Sequence, residues 1–208
     1  MRTRTLILVI TLLLLFCGRL QAQYYEADST YPKWFVGTSL FVLVGNLDTE
    51  NPPNFAQLNV GYRITEQDVV TVSAITWRYA WPNGIHPIFN DAYKKPEERF
   101  PGYVREFGIT LAYTRFLWNG LYAEVSAMPT YQVFMNDNGN RIDDGFQLFN
   151  SYRVGYHIKL FNDMFFIQPS ICITHRMYHS ELPDQFRQLD DKWSKFIGEP
   201  GLNVGFNF

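Results

Sequence analysis

Apolar and polar residues alternate with a period of two along eight separate stretches of this chain. They fall at 33–45, 55–64, 69–81, 103–118, 120–135, 145–161, 164–178 and 200–208. A period of two marks a β-strand with two unlike faces. In 55–64, Leu58, Val60, Tyr62 and Ile64 share one face and Gln57, Asn59, Gly61 and Arg63 the other. In 145–161, Leu148, Tyr152, Val154, Tyr156, Ile158 and Leu160 oppose Gln147, Ser151, Arg153, Gly155, His157 and Lys159. In 164–178, Phe165, Ile167, Pro169, Ile171 and Ile173 alternate with Gln168, Ser170, Cys172 and Thr174. The stretch 69–81 changes phase: Val70 and Val72 are in step, but Ile75, Trp77, Tyr79 and Trp81 are not, which predicts a bulge near Ala74.

Length separates these strands from those of a soluble sandwich. Most run 9–16 residues. An ordinary strand has about 5–6, and a tilted strand crossing a bilayer about 9–11. The connections alternate as well. Residues 65–68, 119–120 and 162–163 form tight turns, while 46–54, 82–102, 136–144 and 179–199 are long and polar. Short periplasmic turns and long outer loops are the pattern of outer-membrane barrels. Prolines 52, 53, 82, 87, 96, 101 and 183 all fall in the long loops, where no ladder hydrogen bond is lost. Aromatic residues lie near the strand ends. Trp34, Trp118, Tyr122, Phe161 and Phe165 are expected at an inner rim, and Trp77, Tyr79, Trp81, Tyr103 and Tyr178 at an outer one. Together these features predict an all-β fold: an eight-stranded antiparallel up-and-down transmembrane barrel.

The first residues add an address. Arg2 and Arg4 precede an apolar run from Leu6 to Phe16, and Leu20-Gln21-Ala22 offers a cleavage site before Gln23. This reads as a signal peptide over 1–22, leaving the barrel as 23–208. Cys17 opens a lipoprotein alternative, but the residue before it is Phe16, where a small residue is expected. The whole chain carries 18 basic and 20 acidic side chains. Loss of Arg2, Arg4 and Arg19 leaves 15 against 20, a net of −5, so no nucleic-acid partner is expected. Only Cys172 remains after cleavage, which excludes an internal disulfide and a cysteine zinc site. The aromatic content of 17% suits two aromatic girdles. At the C-terminus, Leu202, Val204, Phe206 and Phe208 share a face. This resembles the terminal recognition signal of outer-membrane proteins, with Asn203 in place of its usual glycine.

Several runs together resemble a family of uncharacterised outer-membrane β-barrel proteins of the Bacteroidota. They are 68–77 (DVVTVSAITW), 100–107 (FPGYVREF), 119–122 (NGLY), 138–149, 155–166 (GYHIKLFNDMFF), 168–170 and 199–208 (EPGLNVGFNF). The resemblance implies export, an eight-stranded barrel and the cell outer membrane. It implies no catalytic residues.

Candidate chemistry lies on the polar face. Alternation points Glu106, Glu124, Arg153, His157 and Arg176 into the lumen, with Gln57, Arg63 and Gln168. Such charges must pair there. The cluster reads first as a structural plug, and second as a narrow conduit or small-ligand site. His179-Ser180-Glu181 at the outer rim invites comparison with lipid A deacylase barrels, in which His and Ser lie two apart. Here they are adjacent, and a strand would point them to opposite faces. His86 with Asp91, Glu97 and Glu98 lacks metal-ligand spacing. Residues 137–144 echo a calcium loop without its closing Glu. No metal and no cofactor is expected. The sequence therefore predicts a non-enzymatic barrel with a structural or surface-interaction role. Its expected partners are outer-membrane lipids, lipopolysaccharide and, during insertion, the barrel-assembly machinery. The alternatives are a lipid-binding or lipid-modifying enzyme and a narrow solute channel.

Overall fold

The computed structural model describes residues 32–40, 54–82, 99–192 and 194–208. The expected signal peptide and residues 41–45 of the first predicted strand lie outside these. The strands are β1 (Trp34–Ser39), β2 (Ala56–Arg63), β3 (Asp68–Tyr79), β4 (Tyr103–Trp118), β5 (Leu121–Met135), β6 (Arg141–Tyr156), β7 (Ile158–Leu160), β8 (Phe165–His179) and β9 (Phe196–Asn207). One helix, α1 (Asp184–Asp190), precedes β9. Consecutive strands from β1 to β6 pair antiparallel, β8 pairs with β9, and β1 pairs with β9. β6 and β7 both pair with β8 and form one stave interrupted at His157. The result is an up-and-down barrel of eight staves. Trp34 and Phe208 exchange backbone hydrogen bonds of 3.1 and 2.9 Å at the seam. Pairing of β1 with β9 closes the ring over Phe35–Ser39 and Asn203–Asn207.

The three tight turns set one end of the barrel. Asn119 (φ 45°) and Gly120 (φ 89°) supply the two positive φ angles of a turn whose twist matches the flanking strands. Thr65 receives the backbone N–H of Asp68 at 2.9 Å and donates to its carboxylate at 2.7 Å. At the other end the connections differ from expectation. The β5–β6 connection spans only 136–140, because Arg141 already pairs with Met135. The last long connection holds α1, and β9 begins at Phe196 rather than near 200.

Two predictions on β3 are corrected. Its register with β2 and β4 runs unbroken past Ala74, so no bulge exists there. Val69, Thr71, Ser73, Trp77 and Tyr79 all face inward on one phase and are buried. What changes along β3 is the chemistry of the lumen, from hydroxyls at one height to aromatic rings at the next. Trp77, Tyr79, Trp81 and Tyr122 are therefore buried, not rim residues. Trp34, Trp118, Phe161 and Tyr178 are exposed as expected of girdles. A genuine irregularity lies on β8. Leu148 pairs with Tyr178 but Phe149 with Arg176, so Met177 is extra and both Met177 and Tyr178 point outward.

The wall is inside out relative to a water-soluble protein. Leu58, Val72, Ile109, Leu111, Val125, Tyr152, Ile171 and Ile173 are exposed, Ile171 at 72%. Arg63, Glu106, His157, Arg176 and Asn207 are buried, Glu106 at 0%.

Candidate functional site

The five residues singled out by alternation all point into the lumen, but they do not form one cluster. Strand direction and register place four of them at three heights, and the fifth, Arg176, against the helix that precedes β9.

His157 lies at the turn end. Its Nδ1 is 3.0 Å from the Gln168 amide, and Asp163 Oδ1 is 3.8 Å from Nε2. Its ring packs against Phe166 at 4.9 Å and Phe116 at 5.4 Å. Phe116 meets Tyr122 at 5.9 Å and carries the Arg63 guanidinium at 5.5 Å over its face. Phe35 closes against Phe166 at 5.4 Å. Phe35 and Tyr122 need space on the adjacent strand, where their register partners are glycines. A Cβ on Gly61 would meet the Phe35 ring at 1.9 Å, and one on Gly155 would meet Tyr122 at 2.5 Å. The glycines of the polar face therefore serve as seats for rings.

Glu124 and Arg153 lie at mid-height, directly opposite each other across β5 and β6. Arg153 Nε is 3.3 Å from the Glu124 carboxylate, which also accepts from Thr114 at 2.7 Å. Arg153 donates to Ser170 Oγ at 2.8 Å. Close by, Thr174 donates to Glu199 at 2.7 Å and shares a 3.0 Å hydrogen bond with Ser151. Every charge in this layer has a partner of opposite sign or a hydroxyl, as a low-dielectric interior requires.

Glu106 lies nearer the loop end. Its carboxylate accepts from Thr130 Oγ1 and Gln147 Nε2. Gln132, its register partner, donates to Tyr79 Oη at 2.8 Å. Glu106 Oε2 and Gln132 Oε1 are buried without a hydrogen-bond partner. Around and above this layer packs an apolar cluster of Trp77, Tyr79, Phe100, Val104, Phe134, Phe149, Leu182 and Phe186, which caps the loop end.

Arg176 belongs to the cap, not to the polar layers. Its guanidinium donates to both carboxylate oxygens of Asp190 at 2.7 and 2.6 Å, and both residues are buried. Asp190 ends α1, whose Phe186 is fully buried against Phe100 (4.8 Å) and Phe134 (5.2 Å). The helix is a lid, pinned by one bidentate ion pair and one phenyl ring. Sequence reasoning missed it, although a signal existed: Leu182, Phe186 and Leu189 recur at i, i+4 and i+7 around Pro183. Thr130, Gln132, Gln147 and Tyr79 were also missed as partners of Glu106.

Solved structures of similar shape include two outer-membrane β-barrel proteins. The N-terminal β-barrel domain of Pseudomonas aeruginosa OprF superposes with a TM-score of 0.43 at 15% identity, over 86% of this chain and 98% of that one. Ail, the attachment invasion locus protein of Yersinia pestis, solved with the heparin analogue sucrose octasulfate, gives 0.42 at 13%, over 85% and 94%. No protein-family model and no curated protein matches the sequence.

The other candidate groups are not assembled for catalysis. Ser180 Oγ accepts the Phe146 backbone N–H at 2.9 Å, and His179 Nδ1 lies 2.8 Å from the Ser180 carbonyl oxygen, not from its hydroxyl. His175 stacks on Phe196 at 4.2 Å. In the 137–144 segment, Asp144 is engaged by Arg141. His86, Asp91, Glu97 and Glu98 lie outside the described residues. Among the described residues, no three His, Cys, Asp or Glu side chains converge on a point that could hold a metal.

Proposed function

We propose that this chain is an outer-membrane β-barrel with a sealed lumen, serving a structural or surface-interaction role rather than conducting solutes or catalysing a reaction. The observation that carries this reading is the lid: Phe186 and the Arg176–Asp190 pair close the loop end over a lumen already packed with rings and paired charges. An eight-stranded barrel is only wide enough for side chains to fill, which supports a sealed lumen.

The outer surface supports the membrane address. Soluble monomers rarely expose apolar patches of more than a few hundred Å², whereas here an apolar band encircles the wall. On β4 the outward residues run Arg105, Phe107, Ile109, Leu111, Tyr113, Arg115. Ten residues separate the two arginines, about 33 Å of strand. At a tilt of about 40° this projects to roughly 25 Å, the height of a bilayer's apolar band. Its partners on this reading are the surrounding lipids and lipopolysaccharide, and the barrel-assembly machinery during insertion.

Reconstitution in planar bilayers tests the sealed lumen. The wild-type protein should give no stable ionic steps, and a variant lacking residues 184–190 should give them or leak. Stable steps from the wild type would favour the narrow-channel alternative instead.

A further inference from the structure

The outward face near the loop end holds an apolar groove of about 730 Å³. Leu58, Ala74, Phe107, Ile109, Tyr131 and Phe146 form its walls, and Gly108 contributes bare backbone. The small side chain of Ala74, opposite Ile109, makes the depression. In contrast to the lumen, nothing among the described residues fills it.

Just above the groove, two cations sit side by side. Arg78 and Arg105 are direct register partners across β3 and β4, one step beyond the Thr76–Phe107 pair that borders the groove. Alternation along both strands points them outward, on the face of Phe107 and Ile109. Like charges directly opposite each other repel. Each lies over a ring instead, Arg78 3.9 Å from the Tyr103 centroid and Arg105 5.5 Å from that of Phe107. A ring face steadies a cation without neutralising it. No carboxylate among the described residues pairs with either. The arginine at the opposite end of the band is different: Arg115 is bound to Asp68 at 2.9 Å.

We infer that Arg78, Arg105 and the groove beneath them form a binding site for a phosphate-bearing, acylated membrane lipid. The inference rests on the outer-membrane reading. The arginine pair supplies donors in the fork geometry that suits phosphate oxygens, and the anion relieves their mutual repulsion. The acyl chain runs from that height down the wall, in the direction of the groove. Charge and shape thus agree on one amphipathic ligand, with its head at the rim and its tail toward the middle of the membrane.

The test uses the full chain in phosphatidylcholine nanodiscs with added diphosphoryl lipid A, the bound lipid being counted by native mass spectrometry. Wild type should retain lipid A in preference to its dephosphorylated form. The R78Q/R105Q variant should lose that preference, with affinity down roughly tenfold. R78K/R105K should keep part of it, and A74F, which fills the groove, should weaken both lipids. Heat-modifiable migration confirms that each variant is folded. Equal retention of lipid A by wild type and R78Q/R105Q, or no preference for the phosphorylated lipid, overturns the inference while leaving the barrel reading intact. Failure of wild type to enter the nanodisc overturns both.

Discussion

Arg176 and Asp190 meet end-on through two hydrogen bonds, one residue on the barrel wall and the other on the helix that covers its mouth. The pair is buried and ties a fourteen-residue separation into a closed lid. Removing one partner strands the other charge away from water. Asp190→Ala should therefore destabilise the folded protein by about 3–5 kcal/mol. The double variant Arg176→Met/Asp190→Leu should cost less than either single change, because no unpaired charge remains. Urea unfolding followed by gel migration measures both. A double variant as damaged as the sum of the singles would show that the pair contributes more than mutual neutralisation.

Phe186 is the apolar half of the same lid. Phe186→Ala should cost about 3–5 kcal/mol if the helix is part of the cooperative fold. It should also open the 180–195 segment to proteases at low dose. Unchanged resistance in that segment would mean that the lid is held by Asp190 alone.

Glu106 and its cross-strand neighbour Gln132 each bury an oxygen with no donor. Glu106→Gln keeps an acceptor for Thr130 and Gln147 and removes a buried charge. This substitution should be neutral or stabilising. Glu106→Ala removes the acceptor for both donors and should cost about 1–3 kcal/mol. Thermal unfolding of the two variants compares them directly, and a Gln variant as unstable as the Ala variant would show that the negative charge itself matters there.

How much of this was legible beforehand can be argued residue by residue. The span of β4, 103–118, follows from alternation alone. So do the inward aim of Glu106, Glu124, Arg153, His157 and Arg176 and the three tight turns. Alternation failed on β3 because it equates inward with polar. At the height of Trp77 and Tyr79 the inward residues of β3 are aromatic, although Glu106 and Gln132 face the lumen beside them, so an unbroken strand mimicked a phase change. The grouping of the five site residues failed for a different reason. Which inward residues meet depends on height and on register between strands, and a single strand's pattern carries neither. Asp190 was illegible for the same cause: its partner lies fourteen residues away on another element.

The outward face sets a prediction about depth. Ile109→Arg places a charge near the middle of the apolar band and should cost about 2–4 kcal/mol. Ile64→Arg, at the turn end, should cost about 0–1 kcal/mol. Folding measurements into lipid vesicles distinguish them. Equal costs at both positions would indicate that position 109 is not surrounded by hydrocarbon.

The most direct test of the account is a spin-label profile of the outward residues of β4. Positions 105, 107, 109, 111, 113 and 115 would be labelled one at a time through cysteine, in a Cys172→Ser background reconstituted in lipid bilayers. The account predicts that collision with oxygen peaks at 109 and 111 and falls toward both arginine positions, while collision with a water-soluble nickel complex shows the inverse. High nickel accessibility at 109 and 111 would contradict it, because the central band of the wall would then face water.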